Sequence, residues 1–205
     1  MRSLMCTCAL LLAVSVAPGA SASTITLSKY SSGMTSPSVL DALLEFSITG
    51  GGTELTLAVF NDTTAPNDFD MNHVFFNVLD TSSATGLVLT SPTIGWEVIL
   101  DKHVDGFGQF DICLKDGVGV DPHKIAPGET GIFTFDIQGT GPFHDTDFST
   151  ELTDISPGNT PALAAAKFVD GPCGNSAFGA TDVPEPASLV LAAVGGLGML
   201  RTRRR

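Results

Sequence analysis

Phe110-Asp111-Ile112-Cys113-Leu114-Lys115 places an apolar side chain at every second position of a short run. Alternation with a period of two puts Phe110, Ile112 and Leu114 on one face of an extended chain. The segment Phe133-Thr134-Phe135-Asp136-Ile137 repeats the pattern. Both runs therefore predict half-buried β-strands rather than helices.

The same alternation recurs over residues 43–49, 55–59, 74–78 and 96–100. Turn-forming clusters rich in Gly, Pro and Asp separate these runs, among them Gly50-Gly51-Gly52. Many short strands divided in this way are typical of an all-β fold. We expect an antiparallel β-sandwich, jelly-roll or Ig-like, over residues 23–175.

Two later segments are less regular. Residues 161–167, Pro-Ala-Leu-Ala-Ala-Ala-Lys, fit either a short turn of helix or a strand. Residues 176–182 are mostly small, and we interpret them as a linker between the β domain and the C-terminal end.

Charge is distributed unevenly along the chain, whose net charge is −12. Half of the basic residues are arginines close to the two ends, and only five lysines lie between residues 23 and 183. Nearly all of the acids lie in that same region. Because binding a polyphosphate needs cations opposite it, this balance argues against a nucleic-acid-binding protein.

The N-terminal 22 residues have the three parts of a secretory signal peptide. Arg2 supplies the positive start, residues 4–16 form a short apolar core, and Ala20-Ser21-Ala22 fits an A-x-A cleavage site. We therefore expect export through the general secretion machinery and a single cleavage by signal peptidase after residue 22. Ala20 and Ala22 are the two small residues that this cleavage site requires.

The C-terminal end, residues 183–205, also has three parts in a fixed order. Val183-Pro184-Glu185-Pro186 is a stiff segment that disfavours helix. Residues 187–200 are an apolar run, shorter than the roughly 20 residues that span a bilayer. Arginines follow it and would stop transfer on the cytoplasmic side: Arg201, Arg203, Arg204 and Arg205. We predict a single hydrophobic helix that holds the protein in the inner membrane transiently.

In these features the end of the chain resembles the PEP-CTERM sorting signal. The resemblance covers about two dozen residues and rests on Pro184-Glu185-Pro186, the apolar run and the arginine cluster in that order. It implies processing by exosortase, a membrane transpeptidase-like enzyme, in a Gram-negative-type bacterium that makes exopolysaccharide. It further implies a final location in the cell envelope, at the cell surface or outside the cell.

Two cysteines remain once the leader is removed, Cys113 and Cys173. Outside the cytoplasm such a pair most simply forms one disulfide, which we predict here. The alternative is two unpaired thiols.

The chain contains no G-x-S-x-G, H-E-x-x-H or phosphate-loop motif. Asp101, Asp105 and Asp111 flank a glycine-rich turn and are candidate Ca²⁺ ligands, although solvated acidic loops explain them as well. Histidines 73, 103, 123 and 144 are interpreted as exposed loop residues. Trp96, the single tryptophan, is interpreted as a core residue, with stacking on a sugar as the alternative.

These observations favour a non-catalytic surface or matrix protein that requires no cofactor and associates with exopolysaccharide. One alternative is a carbohydrate-binding module, assisted by Ca²⁺. A secreted hydrolase with paired carboxylates is a third hypothesis.

Overall fold

A computed structural model describes residues 22–30, 40–64, 69–92, 95–117, 123–153, 158–171 and 176–181. It contains ten strands and a 3₁₀ turn at Asp145–Phe148. The strands are β1 (Ala22–Tyr30), β2 (Ala42–Thr49), β3 (Glu54–Asn61), β4 (Asp70–Phe76), β5 (Ala84–Ser91), β6 (Trp96–Val104), β7 (Gly108–Asp116), β8 (Thr130–Gly139), β9 (Ala164–Val169) and β10 (Ala177–Thr181). The predicted all-β class is confirmed.

All ten strands belong to one antiparallel sheet, in the order β5-β8-β3-β2-β1-β10-β9-β4-β7-β6. The prediction of two separate sheets is wrong in this respect. β1 pairs with β2 on one side and with β10 on the other, so the hydrogen-bonded ladder continues between the two halves. Twist then curls the sheet until it is nearly barrel-shaped, with β5 and β6 as its two edges.

The core lies inside this curl, where side chains from opposite halves meet. Phe46 of β2 contacts Phe76 of β4 edge to face, with ring centroids 5.4 Å apart. Phe76 also contacts Phe135 of β8 at 6.4 Å. Trp96 of the edge strand β6 is partly buried and packs edge-on against Phe133 at 4.8 Å, so it lies at the border of the core.

A second apolar cluster covers the outer face of the half formed by β4, β7, β9 and β10. It includes Phe75, Cys113 and Ala165, each at most 2% exposed. The β6–β7 turn is fastened over this face, because Thr153 donates a hydrogen bond to the Phe107 carbonyl at 2.7 Å. Burial on both faces explains why β9 begins with three alanines. Residues 164–167, which the sequence left open between helix and strand, therefore form a strand.

Residues 177–181, interpreted from the sequence as part of a linker, instead form β10. This strand pairs with β1 on one side and with β9 on the other. Its small residues are required by crowding: a Cβ on Gly179 would lie 2.9 Å from the Phe168 ring. The linker prediction is therefore wrong for residues 177–181, because their small side chains reflect close packing in the sheet rather than a flexible segment.

The remaining predicted segments lie outside the described residues: the signal peptide up to Ser21 and the C-terminal segment from Asp182 onward. Within the described ranges, no helix has the length and hydropathy that a membrane crossing needs.

Candidate functional site

The two predicted processing sites border neighbouring strands of the sheet. Ala22, the last residue of the predicted cleavage site, opens β1 and pairs with Ser47. At the other end, Thr181 closes β10 and pairs with Leu27 of β1. The first and last described strands thus lie side by side in the middle of the sheet, and Pro184 follows β10 after only two intervening residues.

The start of β1 is fastened to the 3₁₀ turn. The Ser23 hydroxyl donates to the Ser149 hydroxyl at 2.7 Å and lies 3.3 Å from the Asp145 carbonyl oxygen. Cleavage after Ala22 would therefore leave a new terminus whose first residue is already part of the fold.

Cys113 lies in β7 and is fully buried. Its thiol is free. Burial raises the pKa of the Cys113 thiol to about 12, and the charges of Lys102 and Lys115 offset this only partly. Its predicted partner Cys173 lies outside the described residues, so the disulfide stays a prediction.

The three calcium candidates do not converge. Asp105, in the β6–β7 turn, has a side chain that is 93% exposed. Asp111 instead accepts a hydrogen bond from the Val78 amide at 2.8 Å, and its own amide donates to Asn77. Among the described residues, no three His, Cys, Asp or Glu side chains form a group able to hold a metal ion. Local spacing placed these acids together, but strand geometry and a structural hydrogen bond separate them.

A small polar pocket of about 60 Å³ lies beside Asp111. Its lining consists of Asn77, Asp80, Gln109, Asp111, Glu151 and Leu152. Asn77 donates to the Glu151 carbonyl and Asp111 accepts from the Val78 amide, so two of the lining side chains fix the segments that follow the 3₁₀ turn and β4.

The histidines occupy unrelated positions. His103 is exposed, 4.0 Å from Asp105, whereas the ring of His123 packs closely over Gly95. His144 precedes the 3₁₀ turn, and its amide donates to Asp147 at 3.0 Å. The interpretation as loop residues is wrong for His73, which lies within β4, and for His103, which is exposed but lies within β6.

His73 is the centre of a group that sequence reasoning missed. In the sheet it pairs with Lys115 of β7 on one side and Lys167 of β9 on the other. Burial, followed by the charges of Lys167, Lys115 and Lys102, lowers the pKa of His73 to about 4. We call Lys102, Lys115 and Lys167 the lysine row. Its members are separated by up to 65 positions in sequence, so only the strand register brings them together.

Comparison with known proteins identifies the C-terminal segment. Residues 182–205 match the family model described as the PEP-CTERM protein-sorting motif. No curated protein matches the chain, and no solved structure matches it either.

The match begins at Asp182, immediately after the end of β10. The motif implies exosortase-dependent sorting of an exported protein that passes through the membrane to the cell envelope. The chain therefore carries a PEP-CTERM protein-sorting motif at residues 182–205.

Proposed function

We propose that the β domain is a non-catalytic surface or matrix protein, which exosortase delivers to the outside of the cell and which associates there with exopolysaccharide. The observation that carries the proposal is the sorting motif at residues 182–205, directly after the last strand. A domain delivered in this way works where the exported polysaccharide of such a bacterium accumulates.

The state of Cys113 is consistent with a structural role. A nucleophilic cysteine needs a thiolate that substrate can reach. Cys113 is fully buried, and burial raises the pKa of its thiol to about 12, so it remains protonated and covered.

Sorting is tested by changing Pro184-Glu185-Pro186 to three alanines in a bacterium that has exosortase. We expect the native protein to lose both its leader and the segment from about Pro184 onward, by intact mass. The variant should retain its tail and stay in the membrane fraction. Thr202→Ala, inside the same tail, is the matched control and should be processed normally. A tail present on every one of these proteins would make the end a simple anchor and refute processing by exosortase.

Association with polysaccharide needs a separate measurement. The released protein should sediment with the extracellular matrix of the wild-type strain and be soluble in the medium of a strain that makes no exopolysaccharide. Equal distribution in both strains would refute the association. Release of reducing sugar from a polysaccharide panel by the purified protein would refute the non-catalytic role and favour the hydrolase hypothesis.

A further inference from the structure

Positive charge is scarce in the β domain, yet most of it lies in one place. Only five lysines, and no arginine, occur between residues 23 and 181. Three of these lysines, the lysine row, are close enough to His73 for their charges to act on it. The row lies on the outer face of β6, β7, β4 and β9, the half of the sheet that also carries the second apolar cluster.

The strand register fixes the spacing of this row. Residues directly opposite each other in antiparallel strands share a face. Lys115 and Lys167 both pair with His73, so their backbones are separated by two strand spacings, about 9.6 Å. This distance is comparable with the length of a disaccharide unit in an extended glycan.

The positive charge of the row is only partly compensated within the fold. Lys115 forms an ion pair with Glu97 at 3.3 Å, with 38% and 50% of the two side chains exposed. Within the described part of the chain, neither Lys102 nor Lys167 has a carboxylate at salt-bridge distance. Like charges held this close repel each other, and an external anion would relieve that repulsion.

An apolar surface lies beside the cations. The amine of Lys167 is 6.0 Å from the centroid of the Phe178 ring, which is partly exposed. Phe178 contacts Phe75, on which the His73 ring stacks at 5.8 Å. Aromatic rings next to a cation suit a ligand that presents both C–H faces and negative charge, as a uronic acid does.

We propose that the lysine row and Phe178 bind an acidic polysaccharide, with the carboxylates of two uronates one disaccharide apart at Lys115 and Lys167 and a sugar ring against Phe178. The proposal rests on the proposed association with exopolysaccharide and names its chemistry. A single polysaccharide chain bound along the lysine row would interact with these lysines only. Salt screens its repulsion by the acidic residues that lie more than about 8–10 Å away. A flat anionic membrane would also face those acids, which disfavours it as the partner.

The test uses the processed protein purified from the medium, with polygalacturonate as the acidic probe and dextran as the neutral one. We expect binding to polygalacturonate that salt weakens, and none to dextran. Lys115→Gln combined with Lys167→Gln should weaken binding about tenfold or more, since two charge-assisted contacts are lost. The matched pair Lys115→Arg with Lys167→Arg keeps the charges and should bind within about twofold of wild type. Unfolding followed by Trp96 fluorescence verifies that each variant is folded.

A second pair of variants separates the local site from net charge. Glu97→Gln frees Lys115 and should strengthen binding, whereas Glu54→Gln makes the same change in net charge on the other half of the sheet and should leave it unchanged. Equal effects of the two, or unaltered binding by the double glutamine variant, would overturn the proposal. So would binding to phosphatidylglycerol vesicles in place of polygalacturonate.

The matrix assay distinguishes this proposal from the one on which it rests. If wild type and the double glutamine variant sediment equally with the matrix, the lysine row is not the site and the association stands. If wild type itself does not sediment with the matrix, the association fails.

Discussion

Asn61 is a fully buried amide that joins three parts of the chain, and its replacement is a sharp test of the fold. Its Nδ2 donates to the carbonyl oxygens of Phe69 and Ile125, both at 2.8 Å. Its Oδ1 accepts from the amide of Thr63 at 3.2 Å and from the Thr63 hydroxyl at 2.8 Å. Asn61 thereby fixes the end of β3 to the start of β4 and to the segment before β8.

The size of the effect follows from what remains after Asn61→Leu, a change that largely conserves volume. The Ile125 carbonyl still accepts from Met71 at 2.9 Å, and the Phe69 carbonyl keeps the Thr63 hydroxyl. The Thr63 amide loses its side-chain acceptor. Four hydrogen bonds are lost, but the Thr63 hydroxyl of one of them still donates to Phe69. With about 1 kcal/mol for each of the other three, and somewhat more for a stranded buried amide, we expect a loss of about 3–4 kcal/mol.

Urea unfolding followed by the fluorescence of Trp96 measures this loss, since that single indole packs against Phe133 in the core. Thr63→Val is the matched control: it removes one hydroxyl from the same network and should cost about 1 kcal/mol. Asn61→Asp should be at least as harmful as Asn61→Leu at neutral pH, because it buries a carboxylate against two carbonyl oxygens. A loss below about 1 kcal/mol for Asn61→Leu would refute the reasoning.

Three further predictions concern other parts of the sheet. The pKa of His73 is about 4 in the fold against 6.5 for an ordinary histidine, so the unfolded chain binds more protons between these two pH values. The free energy of unfolding should therefore fall by about 1–2 kcal/mol from pH 6.5 to pH 4, after allowance for the partial exposure of the ring. Urea midpoints measured across this range should change less with pH in His73→Gln than in the wild type. Cys113 should resist iodoacetamide at pH 8 in the native protein, by mass, whereas labelling after denaturation without reductant would contradict the predicted disulfide. Gly139→Ala should cost more than about 2 kcal/mol, because its φ is +134° and the new Cβ would overlap the Ser83 carbonyl oxygen. Gly86→Ala, with open space around it, should stay within about 1 kcal/mol. Similar unfolding midpoints for the two alanine variants would argue against this backbone geometry.

Strands with one buried face were predictable from the sequence because their signal is local. In β3 and β8 the apolar residues alternate with polar ones, and the burial pattern follows that alternation. Residues 164–169 and 177–181 carry no such signal, since their small side chains are buried or crowded on both faces. Their identity as strands depends on partners up to about 150 residues away, which no local pattern records.

Functional sites were likewise predictable from the sequence where their residues are contiguous, and not where the fold brings distant residues together. The sorting signal is a linear motif, so its order of proline pair, apolar run and arginines could be recognised from sequence alone. The calcium candidates were predicted from their closeness along the chain, yet the Asp111 carboxylate accepts a hydrogen bond from the Val78 amide instead. The lysine row has the opposite character. Lys115 and Lys167 are 52 positions apart in sequence and share a face only through the register of β7, β4 and β9, while Lys102 lies farther along β6, opposite Phe110.

The position of β10 changes how sorting and folding relate to each other. A flexible linker would let exosortase act on the tail independently of the domain. Instead Thr181 belongs to a strand with neighbours on both sides, and two residues reach at most about 10 Å from it to Pro184. Among the described strands β10 is the last in sequence, and it joins the two halves of the sheet by pairing with β1 and β9. The strand that links the two halves and the sorting motif are therefore adjacent in sequence, so an enzyme that acts at Pro184 must approach within about 10 Å of β10.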